Sequence, residues 1–197
     1  MKKLIFIFIF IFIFIFTVLL PTVSNAGQIV KIADIEKRDG FFYRIKTNQL
    51  YTGGVIDFHS NGKKKAIAFL KQGIPDGVET QWWDSGIKRS TTVYKKGKIE
   101  GVRAKWNESG VMWFEAKFKN GRLDGTHTIW HHNGQLAMET PYAKGKVVDG
   151  VIYHYSINGE IDWKTTYLNN KSITDHYCEY GNISAGTWNR NKSEQCR

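Results

Sequence analysis

One spacing constrains this chain more than any other. Gly53, Gly77, Gly101, Gly125 and Gly150 recur at intervals of 24, 24, 24 and 25 residues. Nine positions after each stands a second glycine, at Gly62, Gly86, Gly110, Gly134 and Gly159, and eleven further on come Gly73, Gly97, Gly121 and Gly145, with Asn170 in the fifth place. Fourteen of the 19 glycines therefore fall on one lattice, five, five and four at a time. Large side chains follow the same period. Five residues after the first glycine of each unit lies an aromatic, Phe58, Trp82, Trp106, Trp130 or Tyr155, and seventeen after it lies Leu70, Tyr94, Phe118, Tyr142 or Tyr167. Self-similarity at a fixed period between 20 and 50 residues is the mark of a repeat array, in which each unit buries its apolar surface against its neighbours.

Inside a unit the period is two. After the first glycine the odd offsets carry Val78, Thr80 and Trp82, then Val102, Ala104 and Trp106, while the even offsets carry Glu79 and Gln81, then Arg103 and Lys105. Such alternation describes a half-buried strand. A second segment behaves alike, with Met112, Phe114, Ala116 and Phe118 on odd offsets in the third unit. Between the two segments lie Asp84-Ser85-Gly86, Glu108-Ser109-Gly110, His132-Asn133-Gly134 and Ile157-Asn158-Gly159, which predict tight hairpins, and similar turns such as Lys119-Asn120-Gly121 join one unit to the next. The expectation is an all-β, antiparallel β-meander of about ten short strands over residues 51–170, with the odd offsets forming one aromatic face.

Composition matters mainly at the two ends. Lys2 and Lys3, the apolar run from Leu4 to Leu20, Pro21 and the small residues of Ser24-Asn25-Ala26 predict a secretory signal over residues 1–26, cleaved after Ala26. The competing expectation is an uncleaved anchor, since the apolar run approaches spanning length. Of 28 aromatics, 12 Phe, 7 Trp and 9 Tyr, six lie in this leader, so 22 remain, enough to argue against disorder. In an oxidising compartment, periplasmic or extracellular, Cys178 and Cys196 are expected to form a disulfide, with a metal pair or a catalytic thiol as the sharper alternative. Residues 27–50 read as an N-terminal lead-in and residues 171–197 as a C-terminal cap, both protecting the edges of the array.

The units resemble the MORN repeat, specifically the bacterial variant of YwqK-type antitoxins. The residues that carry the likeness are Asp124-Gly125 through Trp130, Asn133-Gly134-Gln135-Leu136, Glu139, Tyr142 and Gly145, with the lead-in Arg38-Asp39-Gly40-Phe41-Phe42-Tyr43 and Tyr51-Thr52-Gly53. The resemblance implies that each repeat is a β-hairpin and that the hairpins stack into an elongated single-layer sheet. It also implies binding of another protein, in its most concrete version a secreted toxin neutralised by an antitoxin-like or immunity protein. The chain departs from the pattern where Ile67, Thr91 and Lys164 occupy the column that holds Glu115 and Glu139, so units one, two and five are expected to be looser or to act as caps.

Chemistry-bearing motifs are few. No G-x-S-x-G, H-E-x-x-H or Walker A pattern occurs, and neither cofactor, metal, small-molecule substrate nor nucleic acid is expected. Gly77, Gly101, Gly125, Gly150, Trp82, Trp106, Trp130 and Tyr155 are read as structural, the aromatics forming the packed side of the sheet or, alternatively, an exposed ladder. His127 and His131 share a strand face about 13 Å apart, too far to hold one metal without a neighbouring strand. His131 also shares a repeat column with His59 and Asn107. Trp83 and Trp113 lie on the opposite parity from the aromatic column, and large apolar groups on a polar face mark a partner surface. Trp83, Trp113, His127 and His131 are accordingly the candidate contact residues. The formal charge of +10, with Lys63, Lys64, Lys65 and Lys95, Lys96, Lys98 at turns, supports a second expectation, an envelope scaffold with weak anionic-lipid contact.

Overall fold

The computed structural model describes residues 27–179, 182–185 and 193–195, with side chains through residue 173. The leader expected at residues 1–26 and the pairing of the Cys178 and Cys196 side chains lie outside the described residues. The first strands are β1 (Ile29–Lys31), β2 (Ile35–Arg38), β3 (Phe41–Arg44), β4 (Gln49–Leu50), β5 (Gly53–Phe58), β6 (Lys64–Lys71) and β7 (Ile74–Pro75). The central ones are β8 (Gly77–Trp82), β9 (Lys88–Lys95), β10 (Lys98–Trp106), β11 (Met112–Lys119), β12 (Arg122–Trp130), β13 (Leu136–Ala143) and β14 (Lys146–Val147). The chain ends with β15 (Gly150–Tyr155), β16 (Ile161–Leu168), β17 (Lys171–Glu179), β18 (Asn182–Ala185) and β19 (Ser193–Gln195).

The architecture is an antiparallel meander in which each 24-residue unit supplies one hairpin. The long sheet runs β1-β5-β6-β8-β9-β10-β11-β12-β13-β15-β16-β17-β18-β19, so that from β5 onward the chain folds back on itself strand by strand, with the short β7 and β14 pairing to β6 and β13 at the turns. At the front edge β1 adds parallel alongside β5. Strands β2, β3 and β4 form a separate three-stranded sheet. From Lys171 onward the chain extends the same meander, β17 pairing with β16 and β18 with β17.

Two kinds of turn alternate along the sheet. Between units, Asn120 (φ +51°) and Gly121 (φ +79°) both take left-handed backbone, the geometry of a two-residue turn whose twist matches that of the flanking strands. Lys96-Gly97 and Lys144-Gly145 repeat it. Within units the loops are longer than the sequence suggests. The His131 N–H donates to the Gln135 carbonyl at 2.8 Å and the Gly134 N–H to the His131 carbonyl at 2.9 Å, so the glycine alone turns left-handed there.

Register produces one departure from the expected single aromatic face. In the third unit Trp106 pairs with Met112, but Lys105 pairs with Phe114, which leaves Trp113 as an extra residue in β11, a β-bulge. The same shift occurs at Lys65, Arg89, Ala137 and Asp162 in the other units. Beyond the bulge, odd offsets of the second strand oppose even offsets of the first: Ala116 faces Arg103, and Phe114 faces Lys105. Residues directly opposed across an antiparallel pair share a face. The bulge therefore exchanges the faces. Phe114 and Ala116 join the polar parity of Arg103 and Lys105, while Trp106 and Met112 share the other side with Ala104.

Burial is thin and uneven. Ala116 is fully buried, and Ala104, Thr92, Thr128, Thr140, Ile152 and Thr165 are close to it, whereas Val78, Val102 and Val151 stay exposed. Among the described residues the compact apolar cluster is Val30, Ile35, Tyr51, Val55 and Leu70, with Phe42 against it, at the N-terminal end between the small sheet and the first unit.

Candidate functional site

The bulges decide where the site lies, because each thrusts one side chain beside the residue at the fourth position of its unit. In unit one that pair is Lys65 and Asp57, joined by a 2.8 Å salt bridge that holds the Asp57 carboxyl below its usual range. In unit two the bulged Arg89 stands with Ser90 opposite Gln81, an uncharged residue whose amide donates to Glu79 on its own strand. In unit three the bulged Trp113 stands beside Lys105.

Trp83, Arg89, Arg103, Lys105 and Trp113 consequently line one cleft of ≈ 200 Å³ on this face of units two and three. The Arg89 guanidinium stacks over the Trp83 ring, 4.5 Å from its centroid. The Lys105 ammonium lies 5.2 Å from the centroid of Trp113 and 4.9 Å from that of Phe114. Crowding has an electrostatic signature: burial, then the neighbouring Arg103 and Arg89 charges, push the Lys105 ammonium below its ordinary pKa. Among the described residues no carboxylate makes an ion pair with any of the three cations. The Arg103 Nε is buried without a hydrogen-bond partner.

Trp83 and Trp113, selected from the sequence by parity, thus come together in one cleft. His127 lies on the same face, one row beyond, between the Phe114 ring at 5.1 Å and the Tyr142 ring at 6.1 Å. Its Nε2 is buried without a partner, and burial lowers its pKa. His131 is elsewhere and does something different. Its Nε2 donates to the carbonyl of Tyr155 in the next unit at 2.7 Å. His59 does the same to Trp82 at 2.9 Å, and the Trp83 Nε1–H to Trp106 at 3.2 Å. One repeat column therefore staples successive hairpins, side chain to backbone. Against a carbonyl the His131 Nε2 must carry the proton. Asn133 adds a parallel tie at the loop tip, its amide donating to the Ile157 carbonyl at 3.0 Å.

The structural columns fall as follows. Trp82, Trp106, Trp130 and Tyr155 are half-buried on the opposite face, paired with Lys88, Met112, Leu136 and Ile161. The Lys88 ammonium also sits 5.0 Å from the Trp106 ring centroid. Gly77, Gly101, Gly125 and Gly150 all have positive φ. At Gly125 (φ +120°) a Cβ would come 3.1 Å from the Lys117 Cβ, so both backbone and neighbour select glycine. Arg89, Arg103 and Lys105 were not singled out by sequence reasoning. The signal was available in the column that reads Lys65, Arg89, Trp113, Ala137, Asp162, once its fourth-position partners Asp57, Gln81, Lys105, Ile129 and His154 are set beside it.

Residues 123–144, which cover the β12–β13 hairpin and its following turn, match the family model of the MORN repeat variant. That repeat type is associated with binding to proteins or membranes. A search of curated proteins finds no match to the chain. No group of three or more His, Cys, Asp or Glu among the described residues is arranged to hold a metal ion.

Proposed function

We propose that this protein is a non-enzymatic, exported repeat module that binds another protein through the cleft face of units two and three. The observation that carries the reading is the convergence of Trp83 and Trp113 on one cleft with Arg89, Arg103 and Lys105. Aromatic and arginine side chains in a partly desolvated depression are the residue types that dominate binding energy at protein interfaces. The likeness of the units to YwqK-type repeats gives the specific version, neutralisation of a secreted toxin. A photo-crosslinking residue placed at Trp113 is expected to capture a protein from envelope extract, and the same residue at Thr126, on the opposite face, is not. Equal capture from both positions, or none from Trp113, overturns the reading. Lack of a toxin gene beside this one sinks the toxin-specific version alone.

A second reading rests on the edge formed by the turns between units. There Lys95, Lys96, Lys98, Lys119, Arg122 and Lys144 outnumber the carboxylates Glu100 and Asp124 around two adjoining depressions of ≈ 350 and ≈ 420 Å³. A row of cations along one edge suits an anionic lipid surface. Pelleting with vesicles containing phosphatidylglycerol, lost above physiological salt, is the expected outcome. Salt-independent pelleting, or none, excludes it.

A further inference from the structure

The repeat supplies an internal control for the cleft. Five units share one bulge, and in the first of them the bulged cation Lys65 is neutralised by Asp57 from the same hairpin. At the corresponding place in units two and three the carboxylate is replaced by Gln81 and by a further cation, Lys105. Three positive groups and two indoles meet there with no carboxylate in the lining; Glu79, next to Gln81 on the same face, accepts from the Gln81 amide and makes no ion pair with any of the three among the described residues, and the Arg103 Nε is buried with its proton undonated. Charge concentrated in this way is unfavourable unless something negative completes it.

We propose that the cleft receives an acidic peptide segment in extended conformation, whose carboxylates take the place that Asp57 fills for Lys65. Arg103 and Lys105 are two residues apart on one strand, so their bases are separated by about 6.8 Å, the spacing of alternate side chains in an extended chain. A segment carrying acidic residues at every second position matches that separation along β10. Trp83 and Trp113 offer apolar surface to the methylene stems of its glutamates, and a ≈ 200 Å³ cleft fits one or two such side chains. The proposal rests on the protein-binding reading above and names the chemistry of the segment bound.

The test titrates the mature chain with a fluorescently labelled Glu-Ala-Glu-Ala-Glu peptide, followed by anisotropy, beside a Gln-Ala-Gln-Ala-Gln control. Saturable 1:1 binding of the glutamate peptide alone is expected. The double variant R89Q/K105Q should weaken it by about tenfold or more, since each cation supplies a charge-assisted hydrogen bond. K46Q/K64Q removes the same two charges away from the cleft and should change affinity by less than about twofold. Circular dichroism and thermal melting of each variant verify that the fold is kept. Absence of glutamate-peptide binding, equal losses in both double variants, or binding of inorganic phosphate or phosphatidylglycerol vesicles at this cleft in place of the peptide overturns the proposal. If the Trp113 crosslink still captures a protein while the peptide fails to bind, the protein-binding reading stands and the acidic-segment inference falls. Failure of both experiments removes both.

Discussion

At the N-terminal end Val30, Ile35, Tyr51, Val55 and Leu70 bury large side chains against one another, whereas in the array the most buried positions are Ala104, Ala116, Thr92, Thr140 and Thr165, with Ile152 the one large side chain among them. The cap is held by a small hydrophobic core that joins two sheets, tied further by the Tyr51 hydroxyl, which donates to the Gln28 carbonyl and lies 3.2 Å from the Gly54 carbonyl. The array has no such layer. Its small residues sit in rows, flanked by longer ones: Thr92, Arg103, Ala116, His127 and Thr140 follow one another across five strands. Ala116 has the long Arg103 opposite it on one side and His127 on the other, the imidazole set between the Phe114 and Tyr142 rings. This difference shows how a single sheet stays folded with both faces wet: apolar area per unit is modest, and ladder bonds, staples and side-chain stems supply the rest.

The largest expected effect tests the cap. Leu70→Ala removes a buried side chain from its cluster and should lower stability by about 3 kcal/mol in urea titration, the range for large-to-small core changes. A loss below about 1 kcal/mol would mean that the cap is no better packed than the array, and the comparison breaks.

Next in size is Ala116→Leu. Because Ala116 is fully buried between Arg103 and His127, added methylenes have nowhere to go, and a cost of about 2 kcal/mol is expected. Toleration of the leucine without change would show that the row is open to solvent and that burial in the array is incidental.

The third prediction concerns the staples. His131→Ala leaves the Tyr155 carbonyl without its donor and should cost about 1 kcal/mol. Amide exchange should accelerate in the hairpins of units four and five and not in the cap, since contacts in an array are between neighbours. Combined with His59→Ala, the losses should add within about 0.5 kcal/mol because the two staples share no partner. Coupling larger than that would make the array behave as one cooperative body with the cap.

Much of this was legible in the sequence, and what was not has identifiable causes. The glycine lattice located the strands because positive φ leaves a residue signature, as at Asn120-Gly121. Trp83 and Trp113 stood out by parity. The face exchange was hidden, since a bulge adds one residue to a strand and a loop of unknown length can absorb the same count; only pairing shows that Trp113 lacks a partner. The role of His131 was hidden for another reason. A side chain that bonds to a backbone carbonyl 24 residues away leaves no complementary side-chain type to find, so the shared column of His59, Asn107 and His131 gave no sign of the staple that His59 and His131 make. The cap was legible only as a need for edge protection. Its core depends on Tyr51 and Leu70 meeting Val30 and Ile35 across sheets, a contact with no sequence period.

The smallest effect sharpens the comparison within the array itself. His127 sits over the row between Phe114 and Tyr142, opposite Ala116 and Thr140, with Arg103 as the nearest charge along the row, across Ala116. Burial lowers its pKa, so the folded chain keeps the imidazole neutral where the unfolded chain would protonate it. A histidine with a depressed folded pKa gives full stability above its unfolded value, near 6.5, and loses it as pH falls through that value, because only the unfolded state then gains the proton. The wild-type chain should therefore lose more stability than His127→Phe between about pH 7.5 and pH 5.5, measured as the shift of the urea midpoint. At the upper pH the phenylalanine variant should equal or exceed wild type, since it removes the unpartnered buried Nε2. Parallel pH profiles would place His127 in contact with water in both states, and the rows of the array would then be shielding nothing that the cap does not already hold.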